Sequence, residues 1–385
     1  MSEIVIVDAV RTPLGRRNGW LREIHPARLG STVVCDVLGR AKVDPDLVDH
    51  VIMGCVSQVA EQTFNLGRNV VLDAGMKIET PATTIDFQCG SSQQAIHLAA
   101  GMIATGQAEV VVAGGVENMS RAPMGSSLTD GRSPFTDRVM DAYNMIPQGI
   151  AADEIAAKWK ISREEVDRIG YESHMKAAKA TLDGVFKREI VPLEGVDEAG
   201  NPVLVESDQG IRPNASLEKM AALGAAFTGD GVTTAGNSSQ ISDGAAAVVL
   251  MTADKARQLG VTPRARLVSM VTVGSDPHLM LTGPISATQE ALRRAGMTLD
   301  QIDLFEVNEA FAAVIAMWAR EIQPPMDRVN VHGGAIALGH PLGASGARLM
   351  TTLLNALETH GKRFGLQTMC CGGGMGTGTI VERLS

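Results

Sequence analysis

Short aliphatic runs alternate along this chain with longer stretches whose apolar residues recur every three or four positions. The runs at 4–7, 51–56, 109–113, 245–250, 266–273 and 364–369 are dominated by β-branched and aliphatic residues and read as strands. Helical spacing is clearest at 27–39, where Leu29, Val33, Val34, Val37 and Leu38 fall on one face. It recurs at 64–74, 93–105, 151–160, 163–181, 252–259, 285–295, 311–320 and 343–359. Ser162-Arg-Glu-Glu165 has the capping-box spacing that opens the helix at 163. Glu198-Ala-Gly-Asn201 predicts a hairpin inside the turn-rich stretch 183–208.

The pattern lapses after Gly115, and 119–150 is rich in Met, Ser, Pro and Gly. From Arg264 the early layout starts again. Asp300-Gln-Ile-Asp-Leu-Phe-Glu-Val-Asn308 parallels Asp46-Leu-Val-Asp-His-Val-Ile-Met-Gly54, each a short helix running into a strand. The strand at 364–369 closes on Gly372-Gly-Gly374, as 109–113 closes on Gly114-Gly115. A repeat this long is not a solenoid. It predicts two similar α/β halves: residues 1–118 with 243–263, and residues 264–385. Residues 119–242 form an inserted domain without a single regular core. Alternating strand and helix implies mostly parallel, buried sheets.

A chain of 385 residues can bury substantial cores, and 45% hydrophobic with 20% charged is ordinary for a globular protein. Aromatic residues make up only 3% while there are 41 glycines, so the core is aliphatic and backbones pack closely. The net charge of −9 argues against nucleic acid as a partner. The N-terminus has no basic, apolar leader, and no apolar stretch is long enough to span a membrane. Cys35, Cys55, Cys89, Cys370 and Cys371 make no disulfide framework, so a cytoplasmic location is expected. Cys35 and Cys55 read as packing residues.

Four places carry candidate chemistry. Thr83-Thr-Ile-Asp-Phe-Gln-Cys89-Gly-Ser-Ser puts a cysteine where an extended run hands over to a helix. Free N–H groups and the helix dipole there favour a thiolate. A buried inert cysteine is an equal reading of that stretch alone. His340 stands between Gly339 and Pro341, in a glycine-dense loop that brings backbone close to another element. It can take the proton of Cys89 and form an imidazolium–thiolate pair; a solvated loop histidine is the alternative. His332 reads as structural or substrate-lining. Cys370 and Cys371 end a strand before a glycine run whose N–H groups suit an oxyanion. Adjacent cysteines are poor partners on one tetrahedral metal. Asn308 opens a helix and can either cap it or hold a water against substrate.

Taken together these stretches resemble the thiolases, enzymes that make or cleave 3-ketoacyl-CoA. The resemblance spans nearly the whole chain and rests on Cys89-Gly-Ser-Ser, Gly115-Val-Glu-Asn-Met-Ser120, Ala235-Gly-Asn-Ser-Ser239 with Asp243-Gly-Ala-Ala246, Asn308-Glu-Ala-Phe, Gly333-Gly-Ala-Ile-Ala-Leu-Gly-His-Pro341 and Cys370-Cys-Gly-Gly-Gly374. It implies an αβαβα layered core with an inserted loop domain that binds CoA and the acyl chain. It implies Cys89 as the acyl-accepting nucleophile, activated by His340, and Cys370 as the acid–base for CoA and for the leaving enolate. Asn308 would hold a water of one oxyanion hole, and the N–H groups of Cys89 and Gly372 would form the other. Ser239 would touch the pantetheine arm. Coenzyme A is then a substrate, no metal or redox cofactor is required, and a homodimer or homotetramer is expected. Ile146-Pro-Gln-Gly149 stands where short-chain members usually carry His-Met, which weakens an acetoacetyl-only role. Gly15-Arg-Arg-Asn-Gly-Trp-Leu21 and Gly54-Cys-Val-Ser-Gln58 are similar to thiolases that degrade steroid side chains. The rival readings are acetoacetyl-CoA synthesis, a ketoacyl synthase and a non-catalytic CoA or lipid carrier; Cys370 speaks against the second.

Overall fold

The structure, a computed structural model, describes residues 3–128 and 131–384. The first half runs β1 (Ile4–Arg11), β2 (Gly15–Arg16), α1 (Pro26–Ala41), β3 (His50–Gly54), α2 (Leu66–Asp73), β4 (Ala82–Ile85), α3 (Ser91–Ala104) and β5 (Val110–Asn118). The insertion carries α4 (Asp137–Tyr143), α5 (Gln148–Lys158), α6 (Arg163–Leu182), the hairpin β6 (Leu193–Val196) and β7 (Pro202–Val205), and α7 (Leu217–Ala221). The chain returns on β8 (Ser242–Thr252) and α8 (Ala253–Leu259). The second half is β9 (Ala265–Gly274), α9 (Gly283–Ala295), β10 (Leu304–Val307), α10 (Ala312–Ile322), α11 (Ala335–Leu338), α12 (Ser345–Thr359), β11 (Phe364–Cys371) and β12 (Met375–Arg383).

The strands lie in the order β10-β11-β12-β9-β1-β8-β5-β3-β4, with β2 beside β8. The two half-sheets join at β1 and β9 through Val5–Arg266 and Ile6–Ala265. Helices α3 and α12 fill the space between the half-sheets. Ala95, Ile96 and Ala99 of α3 and Met350, Leu353 and Leu354 of α12 share one core with Val111 and Val248 of the first sheet and Leu304 and Val381 of the second. Outside, Val33, Val37 and Val70 of α1 and α2 cover Val51, Val112 and Val249. On the far side Ala287, Ile315 and Trp318 of α9 and α10 cover Val271, Phe305 and Leu366. The layering is αβαβα. Strands covered on both faces explain the unbroken apolar runs, and each fully buried Val or Leu contributes about 1.5–3 kcal/mol.

The sheets are not mostly parallel. Among the strand pairs of the described residues, only β3–β4, β3–β5 and β10–β11 run parallel. The pairs β1–β8, β5–β8, β11–β12, β12–β9 and β1–β9 are antiparallel. Strand β8 enters from the insertion rather than from a helical crossover. Strand β12, which the sequence pattern did not show, folds straight back on β11 through Gly373 and Gly374, both at φ 82°. A tight turn can join only antiparallel strands. Cys35, expected in the core, lies exposed on α1, because its position faces away from the sheet.

Backbone contacts between halves set the position of the loop before α12. A Cβ on Gly115 would stand 2.0 Å from the Gly343 carbonyl oxygen, and one on Gly346 would stand 2.2 Å from the Gln93 nitrogen. The ends of β3 and β5 and the first turn of α3 therefore press directly on residues 343–346.

Candidate active site

Cys89 sits one residue before the N-cap of α3. The turn that leads to it is held locally. Gln88 takes a left-handed φ of 50°, and the Ser91 hydroxyl accepts from the Phe87 N–H at 2.9 Å and donates to the Gln88 carbonyl at 2.6 Å. The Cys89 sulfur is 4% exposed at the residue level and receives the backbone N–H groups of Cys89 and Gly372. Gly372 belongs to the turn between β11 and β12, two residues beyond the fully buried Cys370. The two thiols are close enough for charge on one to raise the pKa of the other.

His340 follows α11 and Gly339, whose φ of 121° only glycine adopts easily. The His340 N–H donates to the Gln240 carbonyl and the Ser242 hydroxyl, both at 3.1 Å. Its Nδ1 lies 2.6 Å from Ser345 Oγ, and Ser345 donates its own hydroxyl to the Pro341 carbonyl at 2.8 Å. A hydroxyl has one proton to give. Nδ1 must therefore carry the ring hydrogen, which leaves the Nε2 lone pair free to accept. Nε2 lies 3.3 Å from Asn308 Nδ2. The Asn308 N–H in turn donates to the Thr368 carbonyl at 3.0 Å, on β11 just before Cys370. Leu342, two residues past the histidine, packs on Cys89 with Leu349 and Met369.

Asn308 is not a helix cap; Phe311 occupies that position on α10. Its Oδ1 is buried without a hydrogen-bond partner among the described residues. Ser239 donates its N–H to the Ala310 carbonyl at 3.0 Å and precedes Gln240, so it runs alongside His340. His332 belongs to a different neighbourhood, edge-on to Phe186 and stacked on His360. Cys371 points toward α3, where a Cβ on Gly90 would meet its sulfur at 2.5 Å. Cys55 is buried beside Glu117.

Sequence reasoning missed Ser345 and Glu117. Glu117, at the end of β5, accepts from the N–H groups of Val56, Ser57 and Gly343 at 2.9, 3.0 and 2.8 Å and from Gln62 Nε2 at 2.9 Å. It ties the histidine loop to the first half. A lone carboxylate closing an apolar strand was the available signal, since burying it demands several donors.

The electrostatics run against the expected ion pair in the free site. Burial pushes the Cys89 thiol up to about 12, the carboxylates of Glu117 and Asp86 add to this, and the two N–H groups pull the other way. Burial, with the Arg348 guanidinium assisting, pulls His340 down to about 3. The dipole of one helix end is a smaller effect than full desolvation of a charge. The free site therefore holds a neutral thiol and a neutral imidazole. Burial also pushes up Cys370. Arg348 is buried 3.9 Å from Glu306, whose carboxyl burial drives up to about 8.

This has a measurable pH consequence. Above about pH 3 the imidazole is already the free base, so lowering pH from 8 to 5 does not protonate it. The rate of Cys89 acylation by an acyl-CoA, followed without free CoA, should show no inflection near 6.5, the ordinary histidine value. A loss of rate centred there would mean that His340 is solvated.

The chain matches two family models, the thiolase N-terminal domain over residues 4–254 and the thiolase C-terminal domain over residues 261–383. It is 46% identical to the steroid 3-ketoacyl-CoA thiolase FadA6 of Mycobacterium tuberculosis, covering 100% of this chain and 95% of that protein. It is 45% identical to the 3-ketoacyl-CoA thiolase of Aliivibrio fischeri over 100% of both chains. Among solved structures it resembles the acetyl-CoA acetyltransferase of Bacillus anthracis, at a TM-score of 0.92 and 37% identity over 100% of this chain and 99% of that one.

Proposed function

The chain belongs to the thiolase family, and from that membership we propose that it is an acyltransferase that cleaves 3-ketoacyl-CoA with CoA, yielding acetyl-CoA and a shortened acyl-CoA. One observation carries the assignment of residues. The Cys89 sulfur is held by the N–H of Gly372, two residues past Cys370, so nucleophile and second thiol flank a single backbone step.

Each proton then has a place. Cys89 gives its proton to His340 Nε2 as its sulfur attacks C3 of the substrate. The C3 oxygen gathers charge between the N–H groups of Cys89 and Gly372, each worth about 3 kcal/mol of barrier. The C2–C3 bond breaks and the acetyl-CoA enolate leaves. Its oxygen is held by the protonated Nε2 and by a water that the unpartnered Asn308 Oδ1 can fix. Cys370 supplies the proton to C2. The Cys370 thiolate next takes the thiol proton of incoming CoA, whose sulfur attacks the acyl-Cys89 carbonyl. Cys89 departs and recovers its proton from His340. These side chains and CoA complete the cycle, with CoA as a substrate.

An anionic CoA needs a local basic patch in a chain of net charge −9. A cavity of 380 Å³ lined by His174, Arg212, Ser216, Lys219 and Gly236 supplies two cations for its phosphates. Ser239 lies between that cavity and His340 in sequence and contacts the pantetheine arm in this reading. A homodimer is proposed through the unpaired edge of β4, which the exposed Phe64 and Ile78 flank. Sedimentation equilibrium should give at least a dimer, with a tetramer as its further assembly. No helix of the described residues is long and apolar enough to cross a membrane. The five cysteines are free, which supports our proposal of a reducing cytoplasm as the place of the reaction. Incubation with a 3-ketoacyl-CoA and CoA should release acetyl-CoA and the chain-shortened thioester in equal amounts by mass spectrometry. Release of acetyl-CoA without the second product contradicts the assignment.

A further inference from the structure

The wall beside Gly372 is polar, whereas Cys89 itself packs on Leu342, Leu349 and Met369. A Cβ on Gly372 would stand 3.0 Å from Gln148 Nε2 and 3.0 Å from Gln88 Oε1. The orientation of Gln88 is determined by its surroundings. Its NH2 group lies 3.3 and 3.2 Å from the two oxygens of Asp86. A carboxylate only accepts, so the NH2 must face Asp86 and Oε1 must face Gly372. Gln148 comes from another element, the first residue of α5 after Pro147. It brings a donor to the place where Gln88 brings an acceptor. Both side chains are half-buried, and they converge on the side of Gly372 where a Cβ would stand, at the residue whose N–H reaches the Cys89 sulfur.

We propose that Gln88 and Gln148 are specificity-determining residues that favour acyl groups bearing an uncharged oxygen function, a hydroxyl or a ketone, close to the thioester carbon. The proposal rests on the thiolase reading and names its substrate class. A hydroxyl at that place accepts from Gln148 and donates to Gln88. A ketone accepts from Gln148. A plain alkyl chain displaces water from both amides and gives nothing back, which is how a hydrogen-bonding site rejects an apolar analogue. The carboxylate of Asp86 behind Gln88 disfavours an anionic acyl group, since like charges at short range repel even near a protein surface.

The test is acylation of Cys89 by matched thioesters, read as rate by quenched intact-mass spectrometry. The pairs are 3-hydroxybutanoyl-CoA with butanoyl-CoA and 4-oxopentanoyl-CoA with pentanoyl-CoA, and butanedioyl-CoA is the anionic probe. The wild-type protein should favour the oxygenated member of each pair by about tenfold or more. In Gln148→Met, and separately in Gln88→Leu, the ratio should fall to within about threefold. The two residues lie on different elements, so misfolding of one variant leaves the other to decide. A wild-type preference for the alkyl thioesters, an unchanged ratio in the folded variants, or a preference for butanedioyl-CoA over the neutral probes each overturns the proposal. Failure of every thioester, acetyl-CoA included, to label Cys89 instead removes the thiolase reading on which it rests.

Discussion

Replacing Cys89 by alanine is expected to abolish acyl-enzyme formation and to lower thiolysis by about 10⁴-fold or more. The size follows from the mechanism. Without the sulfur there is no covalent intermediate, and CoA would have to attack C3 directly while His340 and Cys370 stand in places suited to a different nucleophile. The N–H groups of Cys89 and Gly372 survive the change, so some oxyanion stabilisation remains and activity does not fall to the uncatalysed level. The substitution removes one buried sulfur beside Leu342, Leu349 and Met369, at a cost of about 1–2 kcal/mol in packing. An unchanged fold by circular dichroism together with lost acyl label is the expected pair of results. Retention of label at another residue would place the nucleophile elsewhere.

Cys370→Ser should separate the two halves of the cycle. Acyl transfer from an acyl-CoA to Cys89 is the reverse of the CoA step and uses Cys370 only to protonate the departing CoA sulfur, which leaves readily as a thiolate, so it should persist within about tenfold of the wild-type rate. Thiolysis of a 3-ketoacyl-CoA also needs a proton delivered to C2 and one removed from CoA. A serine hydroxyl is far too weak an acid and base for either task, and the loss should be about 10²–10⁴-fold. The same change buries a hydroxyl at a fully enclosed position, which costs about 1–3 kcal/mol if no partner is found. A melting curve therefore accompanies the kinetics. Equal loss of acylation and thiolysis would make Cys370 part of the nucleophile's support rather than the second acid–base group.

The candidate reactive atoms were legible in the chain because they are rare residues in unusual settings. Cys89 lies at an apolar-to-helix handover, His340 lies between glycine and proline, and Cys370 ends a strand before a glycine run. Ser345, Glu117 and Gln88 gave no comparable signal, and Gln148 stood out only as part of the segment that departs from the short-chain pattern. Each is a common polar residue, and its meaning depends on a partner that folding brings near: Gly343 for Glu117, Gly372 for both glutamines. The antiparallel return of β12 was hidden for a related reason, since the glycines that end one strand are also the turn into the next.

Sequence by itself determined the layered α/β plan, the repeat of two halves, and which sulfur, imidazole and amide are the candidates for the chemistry. Periodicity and rare residue types are local properties, and they survive in a list of letters. Only the tertiary structure decided the burial that shifts Cys89 up and His340 down, the hydrogen bond to Ser345 that bears on the tautomer, and the polar wall over Gly372. These depend on how much water is excluded and on which distant group lies within about 3 Å, and both follow from packing rather than from order along the chain.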